Sequence, residues 1–376
     1  MSRFIDRFRA AVSRRRKTLS FSSGNKDLIW KRLPDNVFVI LVALCELDDI
    51  PSLALTCRLL HRRIFNHEVP ISRRYLNLRR RKGECGSVWE KDLSPGDDLT
   101  FISELFPPPP PQYTAGEGRG DAEYSLAYLM DLKRCWTTCI RLSYHLADHA
   151  VRHRLETDPN ARELWSSSKT EQEVVYSKSV GEFQSKLLPA IAYATFFLEN
   201  SAAADCDSTS SGQVASVDLS IKIQQSILQK APFTDTQILI STHHCMQLLC
   251  STIRRHMSPD FPYSSSESWV SLLLLNSTFE RVVEFFVSVA RDEEVRDASS
   301  HGSNWSHRKE FLWQMREDLG QYLATTSQMS NGQSSSGPTL DHVWFRAAYQ
   351  EMFDRGVIPH SAEDPIPVIH WSAVTL

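Results

Sequence analysis

The sequence predicts an all-α protein in which a short N-terminal helical module precedes an irregular multi-helix domain. Three observations over the 376 residues favour this fold class. Apolar residues recur mostly at the three- and four-residue spacings of a helix face, and the alternation that is typical of strands is nearly absent. Breaks rich in serine and glycine separate the helical stretches at irregular distances, so no known repeat is predicted.

The first 30 residues are predicted to form a basic, disordered arm. Residues 1–82 contain 19 Lys and Arg against 7 Asp and Glu, whereas the whole chain carries a net charge of −3, so the rest of the chain is acidic. A basic end on an acidic body disfavours a dedicated nucleic-acid binder. A nuclear import signal, a mitochondrial presequence and a membrane-surface helix are alternatives for the arm.

Three short amphipathic helices are predicted between residues 33 and 64. Pro34 and Pro51 lie near two helix starts, where a missing N–H costs little. We expect Asp49 and Thr56 to cap the second and third helices. About three turns per helix cannot enclose a core, so apolar surface should remain for another protein to cover. The predicted apolar faces are Val37, Ile40, Leu41 and Leu44; then Ile50, Leu53, Ala54 and Cys57; then Leu59, Leu60 and Ile64.

This segment resembles the F-box, the motif that binds the small Skp-type linker subunit of cullin–RING ubiquitin ligases. The resemblance rests on the Leu33–Pro34 opening, the acidic turn over residues 46–49 and the Cys57–Arg58 pair, in that order. The rest of the chain is similar to fungal F-box proteins whose C-terminal region has no standard repeat. The resemblance implies that the linker is contacted by Leu33, Pro34, Val37, Phe38, Leu41, Ile50, Leu53, Leu55, Cys57 and Leu60.

Four positions depart from the usual F-box pattern. Asn36 stands where Glu is common, Pro51 where Leu is common, and Thr56 where Val is common. Leu60 stands where Trp is common. The loss of this large apolar contact implies a linker affinity below that of a typical F-box.

The resemblance implies a non-catalytic substrate receptor of a Skp–cullin–F-box ubiquitin ligase. Its F-box would dock on the Skp-type linker, and through it on a cullin, while the helical body holds a protein substrate that the sequence does not identify. The alternative from another class is a structural or scaffold protein whose F-box-like corner serves its own fold or a non-ligase complex. A third class, an enzyme with a site that no motif reveals, would need a deep polar pocket with clustered perturbed side chains.

Composition sets the remaining domain boundaries. Residues 31–82 are predicted to hold the F-box and a basic connecting helix, and residues 83–121 a linker with an extended polyproline segment. Residues 122–358 form the predicted helical domain, with a bend or break at Pro189, and residues 359–376 form an extended tail. The buried helix faces of that domain are predicted at 126–151, 174–198, 217–228, 238–253, 269–289, 311–323 and 340–353.

No motif in the sequence predicts catalysis, a cofactor or a metal ion. His145, His149 and His153 recur every four residues along one helix, yet neither HExxH nor paired CxxC spacing accompanies them. Adjacent residues such as His243 and His244 point about 100° apart on a helix and rarely share an ion. Phosphate-binding glycine loops and the GxSxG nucleophile elbow do not occur in the sequence.

Localisation is predicted from cysteine usage and hydropathy. The eight cysteines lie mostly within apolar helical patterns and no signal peptide is predicted, so reduced thiols in the cytoplasm or nucleus are expected. No membrane span is predicted, because polar and charged residues interrupt the best candidate, residues 270–290.

Overall fold

The fold is entirely helical in the part of the chain that the computed structural model describes. Thirteen α-helices, one short π-helix and no strand occur among the described residues, so the all-α prediction is confirmed. Residues 1–29 of the predicted N-terminal arm, the C-terminal tail and most of the polyproline segment lie outside them. The described residues are 30, 32–85, 99–108, 124–158, 168–210, 217–258, 263–275, 278–298, 306–329 and 340–358.

Most helices match a predicted apolar face. The π-helix covers Asp341–Phe345, directly before the last α-helix. In chain order the α-helices are α1 (Asp35–Ala43), α2 (Asp49–Thr56), α3 (Arg58–Asn66), α4 (Glu68–Cys85), α5 (Leu99–Leu105), α6 (Leu126–Thr157), α7 (Lys169–Ser210), α8 (Val217–Leu228), α9 (Thr236–Met257), α10 (Tyr263–Leu275), α11 (Phe279–Ala298), α12 (His307–Met329) and α13 (Arg346–Asp354).

The chain divides into two compact units. The first comprises residues 1–87 and 107–132, and the second comprises residues 88–106 and 133–376. Helix α5 therefore belongs to the second unit, although its residues fall within the range that was predicted as a linker. Its side chains Leu99, Ile102 and Leu105 are buried, and the helix packs on α7. The apolar spacing of this short run outweighs the turn-rich composition around it.

The first unit is built around α1 to α4. Helix α1 packs on α4, and α2 packs on α3. Its core contains the fully buried side chains of Phe38, Ile50, Ile64, Ile71 and Tyr75. In α4, Ile71 and Tyr75 recur at the four-residue spacing of a helix face with Ser72, Arg73 and Arg74 between them, which is the pattern of a helix that buries one side.

The predicted caps at Asp49 and Thr56 are wrong. Asp49 is the first residue of α2, and Asp48 holds the N-cap position without a side-chain capping hydrogen bond. Thr56 is the last residue of α2, and its hydroxyl donates to the carbonyl oxygen of Leu53 at 2.7 Å. A threonine that bonds back into its own helix cannot cap the next one, and Cys57 takes the N-cap position of α3.

The second unit is organised around α7, which has 42 residues and continues through Pro189. Of the predicted bend or break, a break does not occur, and Pro189 lies on the exposed side of the helix. On that side the carbonyl group that loses its hydrogen bond can be hydrated. Helix α7 packs on α8 and α9. Phe197 of α7 anchors an aromatic cluster, with its ring centroid 4.6 Å from Trp344 and 6.1 Å from Phe233.

Two predicted faces differ from the observed helices. The face predicted at 269–289 is divided between α10 and α11, and both helices bury one side. On α6, Met130 and Tyr144 were predicted on the buried face but are exposed.

Candidate functional site

The N-terminal unit carries apolar side chains that remain in contact with solvent. Five of the eleven exposed large apolar side chains of the described chain lie between residues 37 and 65. Three of them, which we call the α1 stripe, are Val37, Leu41 and Leu44, with exposed fractions of 39%, 41% and 56%. Leu55 of α2 is 81% exposed, and Phe65 of α3 is also exposed. Concentration of such residues in a small unit is typical of a protein-binding surface.

The α1 stripe is exposed because α1 is apolar on two sides. Phe38 and Val42 lie on the side that packs into the first unit, and both are almost completely buried. Val37 and Leu41 precede them by one residue each, which turns their side chains about 100° around the helix. One helix thus contributes to the core with one side and presents apolar surface with the other.

The ten residues predicted to bind the linker occupy three environments. Only the exposed ones present surface to a partner in this conformation, while the buried ones hold the helices that display it. The exposed residues are Pro34, Val37, Leu41 and Leu55; the half-buried ones are Leu33, Leu53 and Cys57; and the buried ones are Phe38, Ile50 and Leu60.

Leu60 illustrates the difference. It stands where Trp is common in the F-box, and a weaker contact with the linker is predicted from this difference. The side chain is 3% exposed, so in this conformation Leu60 contributes to the packing of the first unit.

Leu44 and Phe65 were not among the predicted linker-binding residues, although both are exposed. A signal for Leu44 existed, because it follows Val37 by seven residues and Leu41 by three and therefore shares their side of the helix. Phe65 had no such signal. It follows the buried Ile64 directly, and its ring lies 4.6 Å from that of His61 on α3.

Arg63 fixes the start of the site. Its guanidinium donates to the carbonyl oxygens of Trp30 and Leu33 and, at 2.6 Å, to Oδ1 of Asp35. The same group lies 4.5 Å from the ring centroid of Phe38. The hydrogen bond from Arg63 lowers the pKa of the Asp35 carboxyl group. Arg63 therefore ties the Leu33–Pro34 opening to α3, a role that the sequence pattern did not reveal.

The turn between α1 and α2 is acidic and exposed. Glu46, Asp48 and Asp49 all face solvent there. Beside them, the pKa of the Cys45 thiol is raised by burial and further by Asp49 and Glu46. Cys45 is therefore a protonated thiol that donates to the Leu41 carbonyl oxygen at 3.4 Å, and it has no features of a reactive cysteine.

The histidines singled out from the sequence do not form a metal centre. Nδ1 of His149 lies 3.1 Å from Nε2 of His256, so α6 and α9 are joined by a histidine pair. Burial lowers the pKa of both imidazoles to about 4. His145 instead stacks on Phe286, with centroids 5.9 Å apart. Among the described residues, no three His, Cys, Asp or Glu side chains are placed to hold a metal ion.

None of the described helices combines the length and the apolar content needed to cross a membrane.

No protein-family model, curated protein or solved structure matches this chain. The fold class is all-α. Any functional assignment therefore depends on the residues of the site.

Proposed function

We propose that this chain is the substrate-receptor subunit of a Skp–cullin–F-box ubiquitin ligase. The observation that carries the proposal is the exposed apolar surface formed by the α1 stripe and Leu55 within the segment that resembles the F-box. In this proposal the Skp-type linker covers that surface, and the second unit holds a protein substrate.

The exposed surface is large enough to contribute materially to docking. Burying a whole Val or Leu side chain is worth roughly 1.5–3 kcal/mol. Covering the exposed fractions of Val37, Leu41, Leu44 and Leu55 would therefore contribute about 3–6 kcal/mol. This gain offsets part of the translational and rotational freedom that is lost on association, and Phe65 and polar contacts would add to it.

The proposed role requires position and no chemistry from this chain. A receptor that holds a substrate beside a charged ubiquitin-conjugating enzyme raises the effective concentration of the acceptor lysine by orders of magnitude. Ubiquitin transfer itself would be carried out by partner subunits. The chain therefore needs two binding surfaces, one for the linker and one for the substrate.

Co-purification with a Skp-type linker tests the proposal. The chain and the linker are co-expressed, and the chain is compared with a V37D/L41D variant that places two charges in the α1 stripe. The matched control is V174D/V175D, because Val174 and Val175 are also exposed apolar residues of a single helix but lie in the second unit. We expect V37D/L41D alone to lose the linker. A native chain that does not bind the linker, or two variants that behave alike, would contradict the proposal.

The alternative is a scaffold protein with an F-box-like corner. It is favoured by the burial of Phe38, Ile50 and Leu60, because these residues serve the fold of the chain itself. Adding a cullin to the co-purification distinguishes the two functions. A ternary complex supports the ligase receptor, whereas linker binding that excludes the cullin supports the scaffold.

A further inference from the structure

The second unit contains a cavity of about 510 Å³. Its walls come from α8, α9, the π-helix and α13, so residues far apart in the sequence meet there. This volume lies within the range of 300–1,000 Å³ that is usual for ligand sites. The cavity takes no part in the docking surface described above, since it belongs to the other unit.

The π-helix shapes one wall of the cavity. Asp341 and Phe345 of the π-helix and Tyr349 of α13 line it at four-residue intervals. The neighbouring Trp344 is fully buried and packs edge-on to Phe197 of α7 at 4.6 Å. Trp344 therefore fixes the π-helix to the core while Phe345 lines the cavity. Short π-helical turns occur frequently at functional sites.

His243 forms a rigid part of another wall. It is 3% exposed, and its Nε2 lies 3.0 Å from the side-chain nitrogen of Gln247. Its ring stands edge-on to Phe345, with centroids 5.6 Å apart. Because the Gln247 amide nitrogen donates to Nε2, the proton of the neutral ring sits on Nδ1. That nitrogen is buried and has no hydrogen-bond partner among the described residues.

The described residues that line the cavity carry no net charge. Nε of Arg346 donates to Oδ2 of Asp341 at 2.9 Å, which pairs its cation with its carboxylate. Burial and the neighbouring His244 lower the pKa of His243 to about 4, so its imidazole is neutral at the pH of the cell. A strongly charged ligand would find no opposite charge that is not already paired, and an uncharged ligand fits better.

Three side-chain amides also line the cavity, those of Gln225, Gln247 and Gln350. The nitrogen of Gln247 bonds His243, and that of Gln350 donates to Oδ1 of Asp354 at 2.8 Å. The amide of Gln225 offers a carbonyl acceptor and an N–H₂ donor to a ligand. A peptide group offers the complementary donor and acceptor at regular intervals. Tyr349 is 45% exposed at the cavity, and tyrosine is among the residue types that contribute most to protein recognition. Phe345 and Ile221 supply an apolar surface between these groups.

We infer that this cavity is a peptide-binding site, which takes an uncharged, extended segment of a protein with an apolar side chain placed against Phe345 and Ile221. Glutamine amides would bind the peptide backbone, and Tyr349 would close over the segment from the edge. The inference rests on the proposed function in that it names the surface through which the receptor takes its substrate.

Selection from a phage-displayed library of random dodecapeptides on the intact chain tests the inference. Enriched peptides are synthesised with a fluorescent label and titrated by anisotropy against the native chain, Y349A and Q225L. The matched control is Y144A, because Tyr144 is a tyrosine of similar exposure, 49%, on α6. Thermal unfolding of each variant verifies that it is folded. If Y349A does not fold, Q225L still tests the site, because leucine is close in size to glutamine.

We expect enriched peptides without net charge, weakened at least about tenfold by Y349A and by Q225L and unaffected by Y144A. Introducing Glu or Lys at their apolar position should abolish binding. The inference is overturned if no peptide is enriched, if the peptides bind Y349A and Q225L as tightly as the native chain, or if binding requires a charged side chain.

The same preparations separate this inference from the proposed function. Linker binding is measured on Y349A, and peptide binding on V37D/L41D. If the native chain binds the peptides but does not bind the linker, the ligase function is rejected and the peptide site is retained. If the native chain binds the linker but no peptide is enriched on it, the peptide site is rejected and the ligase function is retained.

Discussion

Replacing Leu55 with alanine should weaken linker binding while leaving the stability of the chain unchanged. Leu55 and Ile50 lie on the same helix, α2, in opposite environments: Leu55 is 81% exposed and Ile50 is fully buried. The two truncations therefore separate a contribution to binding from a contribution to folding. Both residues are among those that the F-box resemblance implies as contacts of the linker.

The exposure of each side chain sets the expected magnitudes. Leu→Ala removes three carbon atoms, at about 0.8 kcal/mol for each buried group. Complete covering of the exposed part of Leu55 by the linker thus corresponds to a loss of about 2 kcal/mol on truncation, or about 30-fold in Kd. The free energy of unfolding should change by less than about 0.5 kcal/mol. Ile50→Ala should instead lower it by about 2–5 kcal/mol, because a cavity forms in the core.

Two measurements on the same protein samples test this prediction. Urea denaturation gives the free energy of unfolding, and titration of the labelled linker gives Kd. The matched control is Val174→Ala, which removes apolar surface from a residue of the second unit that is 67% exposed. We expect this variant to retain native values in both measurements.

Two results would contradict this prediction. A Kd for L55A within about twofold of the native value would show that the linker does not cover Leu55. A loss of stability in L55A as large as that in I50A would show that Leu55 is packed against the chain itself.

Three further predictions concern stability. Arg63→Lys replaces a guanidinium that bonds two backbone carbonyl groups and Asp35, and should lower the free energy of unfolding by about 1–3 kcal/mol; a change below about 0.5 kcal/mol in urea denaturation would contradict it. The Asp292 carboxylate accepts hydrogen bonds from two backbone N–H groups at the start of α12. Asp292→Ala should therefore lower the free energy of unfolding by about 1–2 kcal/mol and lower Tm accordingly. An unchanged Tm would contradict the capping role of Asp292. Burial holds the pKa of His149 and His256 at about 4 in the folded chain, below the usual value of about 6.5. The unfolded chain therefore takes up protons first as pH decreases. The free energy of unfolding should fall between about pH 6.5 and 4, by at most about 1.4 kcal/mol per pH unit for each histidine. Denaturation at several pH values should show a weaker pH dependence for His256→Asn than for the native chain, and an identical dependence would count against the histidine pair.

Helical periodicity predicted the fold class and most of the helices. Helix α8 has the predicted bounds, Val217–Leu228, and α1 to α3 lie where three short helices were expected. These elements follow from local spacing, which depends little on the rest of the chain. The continuation of α7 through Pro189 did not follow, because the effect of a proline depends on which side of the helix faces solvent.

The candidate docking site was predictable only in part. Spacing placed Val37, Leu41 and Leu44 on one side of a helix, but it could not decide between that side and the side of Phe38 and Val42. Both sides are apolar, and tertiary packing selects which of them is buried. The F-box resemblance and the ligase function stay predictions.

The cavity had no signal in the sequence. Gln225, His243 and Phe345 are separated by up to 120 positions in the sequence, and ordinary glutamines form no motif. Only the packing of α8, α9 and α13 brings them together. Sites built from uncharged side chains on different helices are therefore found from structure, whereas those with fixed ligand spacing can be found from sequence.

The tie between Arg63 and the Leu33 carbonyl oxygen spans 30 residues, and this separation has a consequence during synthesis. A ribosome adds about 5–20 residues per second, so the opening segment leaves it roughly 2–6 seconds before the arginine that will hold it. Throughout that interval a nascent α1 lacks its anchor and its core partners from α3 and α4. A chaperone, or a partner protein that binds as translation proceeds, therefore meets this helix before the chain has enclosed its inner side.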